Sequence, residues 1–175
     1  KLHTMKKLLL IFMAALAISC GNDKKTEKSE ESQMTIGGSQ VEKAATEVDA
    51  AVAEVTIEGN DQMRFNKKEI RVKAGQTVRL TLKHVGQMDI AVMGHNWVLL
   101  VPGTNMNELG VAAVDAADND YIPQDYEDAI IAHTKMLGGG ESDTIEFEAP
   151  EPGTYDFLCT FPGHVALMQG KLIVE

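Results

Sequence analysis

Cysteine is scarce in this chain: 175 residues contain 2, Cys20 and Cys159. Cations are also outnumbered, with 16 Lys and Arg against 26 Asp and Glu and a formal charge of −10. Such a balance repels phosphate and so argues against a nucleic-acid partner. A basic or neutral protein partner stays compatible, although net charge speaks mainly to solubility and encounter rate. Long apolar runs are missing too, because Leu8 to Ile18 is too short to span a bilayer stably. No segment repeats another, and no series of helical crossovers joins strand to strand, which leaves parallel α/β architectures without support.

The short apolar run reads as a leader. Met5-Lys6-Lys7 is a basic start, Leu8 to Ile18 an apolar core and Ser19-Cys20 a small-residue junction, the three parts of a bacterial export signal. Lys1 to Thr4 precede this first initiator. The stretch Ala17-Ile18-Ser19-Cys20 resembles a lipoprotein cleavage box, with Ala17 where Leu is usual and Leu16 beside it. That resemblance implies that Cys20 is lipidated, becomes the first mature residue and anchors the chain to a membrane. A plain secretory signal cut near Ser19 is the alternative, but it leaves an exposed thiol with no use in an oxidising compartment. Several acyl chains at about 0.8 kcal/mol per buried CH₂ make a firm anchor, whereas one is marginal. Gly21, not Asp, follows the cysteine, so the sequence leans toward the outer membrane, with the protein facing the periplasm. Without Lys1, Lys6 and Lys7 the mature part carries 13 basic against 26 acidic residues, a net of −13. With Cys20 on lipid no internal disulfide is possible, and a lone Cys159 needs a reason that metal ligation supplies.

From Gly21 to about Ala50 the chain is polar and cannot bury enough surface to offset its ordering entropy, which reads as a flexible tether. Val41, Ala45, Val48 and Val52 recur at helical spacing, so Val41 to Val55 could form a helix. The chain therefore divides into residues 1–19 as upstream residues and signal, 20–50 as lipidated cysteine and tether, and 51–175 as the folded domain. In that domain the pattern changes to short alternating runs. Val55–Glu58, Glu69–Lys73, Thr77–Lys83, Trp97–Val101, Ile130–Thr134, Asp143–Glu148, Tyr155–Cys159 and Lys171–Val174 each read as strands. Ala74-Gly75, Pro102-Gly103, Gly138-Gly139-Gly140 and Glu151-Pro152-Gly153 break them. About eight strands at this spacing predict an all-β, antiparallel sandwich. One small helical insertion is expected between Thr104 and Gln124.

The chemistry sits near the C-terminus, in Cys159-Thr160-Phe161-Pro162-Gly163-His164-Val165-Ala166-Leu167-Met168. A strand ends at Cys159, and Pro162-Gly163 force a turn, so that a thiol, an imidazole and a thioether can face one point. Gly94-His95-Asn96-Trp97 can supply a second imidazole. A Cys, two His and a weak axial Met form the ligand set of a type 1, or blue, copper electron-transfer site. Zinc could use the same donors, but zinc sites favour paired Cys or His at short spacing and a fourth strong ligand. Each residue alone has a plainer explanation: Met168 as core filler, His95 as a satisfied core histidine, Cys159 as an inert thiol. A cysteine-nucleophile enzyme using His164 or His95 as base is also conceivable. A tight loop that converges both groups on one small volume suits chelation better. The reading is one copper ion, Cu(I) or Cu(II), and no reaction on a substrate; a copper storage or delivery protein is the alternative. A copper oxidase or nitrite reductase needs a second centre, which His3, His84 and His133 do not make.

Long segments of the chain resemble azurin, a cupredoxin. They are Gly59 to Asn66, Val92 to Leu99, Ile131 to Lys135 and Cys159 to Met168, and the similarity covers roughly residues 53–175 in order. The resemblance implies a Greek-key sandwich and a monomeric electron carrier. It implies His95, Cys159 and His164 as equatorial ligands, with Met168 and the Gly94 carbonyl as distant axial donors. It also implies that Asn96 ties the two ligand loops together and that the Phe161 backbone N–H donates to the sulfur. One edge of His164 is expected at the surface inside an apolar docking patch of Met63, Met88, Val92, Met93, Phe161 and Pro162, continued by Gly163, Ala166 and Leu167. Donors and acceptors are expected among cytochromes or copper reductases. The family's disulfide falls at Ala53 and Gln76 and is missing here. His84 matches a histidine that couples redox state to pH in some members, or is a passive core residue; His133 is expected on a surface strand with no copper role.

Overall fold

The structure, a computed structural model, describes residues 51–175. The leader, Cys20 and the tether lie outside the described residues. Nine strands occur among them: β1 Val52–Asn60, β2 Arg64–Phe65, β3 Glu69–Val72, β4 Thr77–His84, β5 Val98–Leu100, β6 Ile130–His133, β7 Ser142–Glu148, β8 Gly153–Leu158 and β9 Gln169–Val174. One sheet has the order β2-β1-β4-β7 and the other β3-β9-β8-β5-β6. Together they form the Greek-key sandwich expected of the sequence.

Strand β4 shows why. In Thr77-Val78-Arg79-Leu80-Thr81-Leu82-Lys83-His84 every second residue is buried, and the intervening side chains reach the outer face. Successive side chains of a strand point to opposite faces, so Val78, Leu80, Leu82 and His84 face the second sheet. Val78, Leu80 and Leu82 meet Ile57, Trp97, Leu99, Phe157 and Leu172 in one core cluster. Each fully buried aliphatic side chain contributes roughly 1.5–3 kcal/mol.

Two pairings correct the antiparallel expectation. β1 lies parallel to β4, with Val52 opposite Thr77 and Gly59 opposite His84, and β3 lies parallel to β9. After β1 the chain crosses to the other sheet as β3 and returns, so β4 enters with the direction of β1. Strand β2 is too short to show an alternation and has no sequence signal beyond buried Phe65. The helical spacing of 41–55 does not extend into the described strand, since Val52–Val55 pair with Thr77–Leu80. Residues 41–50 lie outside the described residues.

The helical insertion is present as α2, Met106–Ala113, followed by 3₁₀ turns at Ala117–Asn119 and Gln124–Ala129. Asn105 caps α2 by accepting from the N–H groups of Asn107 and Glu108, and Leu109 and Ala113, four apart, form its buried stripe. A short helix not read from the sequence, α1 Ile90–Met93, is capped by Asp89. Val98, Leu99 and Leu100 are all buried. Leu99 faces the main core, while Val98, Leu100 and Leu158 pack with Leu109 and Ile122 in a second cluster. The insertion thus covers the outer face of the five-stranded sheet.

Candidate metal centre

The donors come from two segments. The first is Gly94-His95-Asn96, between α1 and β5. His95 is held by a two-way backbone exchange with Leu137, 3.0 Å from its N–H to the Leu137 carbonyl and 2.8 Å in return. The second is the loop from Cys159 to Met168. Its ends are closed by the Cys159 N–H donating to the Met168 carbonyl at 2.9 Å. Inside it the His164 N–H donates to the Phe161 carbonyl and the Met168 N–H to the His164 carbonyl, at 3.0 and 2.8 Å. That single helical turn stacks residues 164 and 168 on one side.

One nitrogen each of His95 and His164 and the sulfur of Cys159 lie within 4.8 Å of one another. Cys159 Sγ is 3.6 Å from His164 Nδ1 and 3.9 Å from the Gly94 carbonyl oxygen. Two donors about 2.0–2.3 Å from one ion in a trigonal plane stand roughly 3.5–4 Å apart. Cys159, His95 and Met168 are fully buried, and His164 is 2 % exposed. Gly94 fits here because a Cβ would lie 2.7 Å from the Ile90 carbonyl and 2.8 Å from the Phe161 ring.

The tautomer of His95 is fixed by its surroundings. Its Nε2 lies 2.9 Å from the Asn60 carbonyl and must donate to it. Nδ1 is then an acceptor, and it is buried with no hydrogen-bond partner. A buried unpaired polar atom needs a reason, and the soft sulfur and second imidazole beside it supply a borderline or soft metal as that reason. The donors fit copper.

Electrostatics agrees. Burial pushes the Cys159 thiol up to about 12, opposed by the backbone N–H groups of Asn96 and Phe161. Burial, then repulsion from His95 and His84, pulls His164 down to about 4. Burial lowers His95 as well, opposed by its bond to Asn60. All three are neutral near pH 7 without a cation, and a bound cation supplies the charge that makes the thiolate stable.

Around the donors, Asn96 links the two segments: its Oδ1 accepts from the Thr160 N–H at 2.9 Å and its Nδ2 donates to Thr160 Oγ1 at 2.7 Å. Nδ2 also donates to the Asp120 carbonyl at 3.0 Å. The Asn60 carbonyl and Leu137 are contributions that sequence reasoning missed, because backbone groups leave no mark in side-chain spacing. His84 stacks on His95 with centroids 4.2 Å apart, donates from Nε2 to the Met93 carbonyl and accepts at Nδ1 from the Gly86 N–H. His133 is exposed at the end of β6 and is not among the clustered donors.

The apolar residues read as a patch are placed unequally. Val92 is 62 % exposed, Met88 and Leu167 are 44 % exposed, and Ala166 is also at the surface. Met63, Met93 and Pro162 are half-buried. Phe161 is only 8 % exposed, with its ring 4.7 Å from that of His164. The expected exposed edge of His164 is therefore corrected: the loop and Phe161 leave it almost covered.

A Greek-key sandwich that gathers a thiol, two imidazoles and a buried thioether at one end defines a blue copper protein of the cupredoxin fold. Residues 51–175 match the copper binding proteins of the plastocyanin/azurin family. The chain belongs to that family, and copper is its cofactor. It is 41 % identical over 130 residues to azurin of Pseudomonas aeruginosa, covering 72 % of this chain and 87 % of the relative. It is 44 % identical over 120 residues to outer membrane protein H.8 of Neisseria gonorrhoeae, which covers 67 % of this chain. The matched region is 64 % of the length of that H.8 protein. Among solved structures, auracyanin A, a blue copper protein of Chloroflexus aurantiacus, matches with TM-score 0.65 and 35 % identity over 71 % of this chain and 99 % of its own.

Proposed function

We propose that residues 51–175 hold one copper ion through His95 Nδ1, Cys159 Sγ and His164 Nδ1. In this reading Met168 and the Gly94 carbonyl are weak axial donors, and the protein carries single electrons between redox partners. The observation that carries this is the convergence of an unpartnered, buried His95 Nδ1 with the Cys159 thiol and His164 inside a closed shell. Copper supplies a one-electron couple. The chain's own groups keep the surroundings fixed as the charge changes. The Asn60 carbonyl holds the His95 ring, the Asn96–Thr160 pair joins the two donor segments, and the N–H groups of Asn96 and Phe161 point at the sulfur. A rigid shell leaves little to reorganise when an electron moves, which favours fast exchange. His164, under a thin apolar cover, is the donor nearest the surface and the natural exit for the electron.

The reading assigns the chain no substrate chemistry of its own. Its partners are redox proteins such as cytochromes or copper reductases, met through the apolar surface of Met88, Val92, Ala166 and Leu167. The monomer is tethered through residues 20–50 to a membrane by a lipid on Cys20, facing the periplasm. The name of the H.8 relatives supports the outer membrane. Among the described residues no helix is long and apolar enough to cross a bilayer.

Recombinant protein loaded with Cu(II) tests the site and the role together. A carrier turns intense blue from thiolate-to-copper charge transfer, keeps its metal against a chelator and exchanges electrons rapidly with its own reduced form. A colourless product removes the donor assignment; slow exchange with ready metal loss assigns the chain to copper storage or delivery.

A further inference from the structure

Between α2 and the ligand loop runs an open groove of about 510 Å³. Asn107, Val111 and Val114 line one wall, and Gly163, Val165 and Ala166 the other. Gly163 and Val165 flank His164, so the groove begins beside the donor nearest the surface. Val111 and Val114 are 74 % and 51 % exposed, apolar side chains left uncovered among the described residues. At Asp115 the groove meets a second hollow lined by Asp115, Asp118 and Asp125.

The charge of this region is one-sided. Asp115, Asp118, Asp120, Asp125, Glu127 and Asp128 are all exposed, and Glu108 adds another carboxylate on α2. No Lys or Arg occurs from His84 to Thr134. Among the described residues, none of these carboxylates takes part in an ion pair. Elsewhere Glu54 and Glu146 meet Arg79, Glu69 and Glu175 meet Arg71, and Asp143 and Asp156 meet lysines. Carboxylates crowded without cations repel one another, and among the described residues no ion pair offsets that repulsion. They do project a concentrated negative field beside an uncovered apolar strip.

We propose that this groove and its acidic border extend the apolar surface of Met88, Val92 and Leu167, by way of Ala166, into the docking face for a redox protein whose own contact surface is apolar and ringed by Lys and Arg. The assignment rests on the electron-carrier reading and names the kind of partner. Carboxylates steer the cationic rim into encounter, and Val111, Val114 and Ala166 make the desolvated contact beside His164. A second copy of this chain bears the same charge and is repelled, as is an anionic lipid surface.

The test uses copper-loaded protein and stopped-flow electron transfer with a c-type cytochrome whose haem edge is ringed by lysines. The same cytochrome with those lysines succinylated is the second probe. Asp115→Asn, Asp118→Asn, Asp125→Asn and Asp128→Asn combined are near-isosteric and lie on exposed positions. The combined variant is expected to slow reaction with the basic cytochrome about tenfold or more at low salt and to flatten its salt dependence. With the succinylated form its rate is unchanged or higher. Val111→Ser is expected to slow the basic cytochrome at every salt concentration while the blue band and self-exchange stay as they were. Variants that match wild type with the basic cytochrome overturn the docking face, as does an equal loss with both cytochromes. A wild-type dimer that Val111→Ser dissociates gives the groove to a second copy and overturns it too. Wild-type protein that exchanges electrons with neither cytochrome nor itself sinks the carrier reading, a distinct result.

Discussion

Replacing Gly59 with alanine tests how firmly the fold fixes the His95 ring. A Cβ at this position of β1 would lie 2.7 Å from His95 Cδ2, 3.2 Å from Cγ and 3.3 Å from the terminal methyl of Met168. Non-bonded carbons settle near 3.5–4.0 Å, so the ring must move by roughly 1 Å. It has little freedom to do so. Its Nε2 is bonded to the Asn60 carbonyl at 2.9 Å, its backbone exchanges two hydrogen bonds with Leu137, and the His84 ring stacks on it at 4.2 Å. Overpacking a dense interior costs about 1–3 kcal/mol. Alanine recovers about 0.4–1 kcal/mol by restricting the unfolded chain, provided the native backbone suits it. The net expectation is a loss of about 1–2 kcal/mol in the metal-free protein. Urea titration followed through Trp97, the single tryptophan, measures it. In copper-loaded protein the displaced Nδ1 should weaken metal binding and alter the visible band. An unchanged urea midpoint together with an unchanged band would refute the reasoning, because His95 would then yield without cost.

Three further outcomes are expected. Metal-free protein should lose stability as pH falls from about 6.5 toward about 4, because His164 is held down to about 4 when folded and returns to 6.5 when unfolded. The unfolded chain binds the extra proton in that window, so the contribution is complete above it and vanishes below. The effect is worth up to about 3 kcal/mol, less where water reaches the ring; a flat urea midpoint across the window contradicts it, and His164→Gln should flatten the curve. Copper uptake at pH 7 should release about one proton per ion from Cys159, whose thiol is pushed up to about 12, and titration in weak buffer reads it directly; uptake without proton release removes the thiolate from the site. Leu109→Ala, which empties the centre of the cluster under α2, should cost about 2–5 kcal/mol in urea unfolding while the blue colour persists. Loss of colour in a still folded variant would mean that the insertion helps to hold the donors.

The strands were legible wherever one face met solvent. In β4 the alternation of Val78, Leu80 and Leu82 with Arg79, Thr81 and Lys83 states both the strand and its buried face. Pairing direction was not legible, because it depends on which sheet a strand joins after a crossover, and no residue of β1 or β4 encodes that. The insertion's position was readable from the apolar residues of 106–117, whereas its role as cover for Val98, Leu100 and Leu158 was not. Those positions carry the outer face of a strand that would otherwise be polar. Of the candidate site, the side-chain donors could be read from their spacing and resemblance. The Asn60 carbonyl and the Leu137 backbone pair could not, since any residue offers them. The near closure of His164 by Phe161 is a matter of loop packing that spacing alone leaves open.

The direction of β1 separates two ends of the molecule. This strand finishes at Asn60, whose carbonyl grips His95, and begins at Val52. Eight residue steps at about 3.3 Å put those ends roughly 26 Å apart. Val52, where β1 begins, therefore lies at the end of the strand remote from the donors. Changes to the sequence that precedes Val52 should therefore leave the colour and potential of the copper-loaded domain untouched.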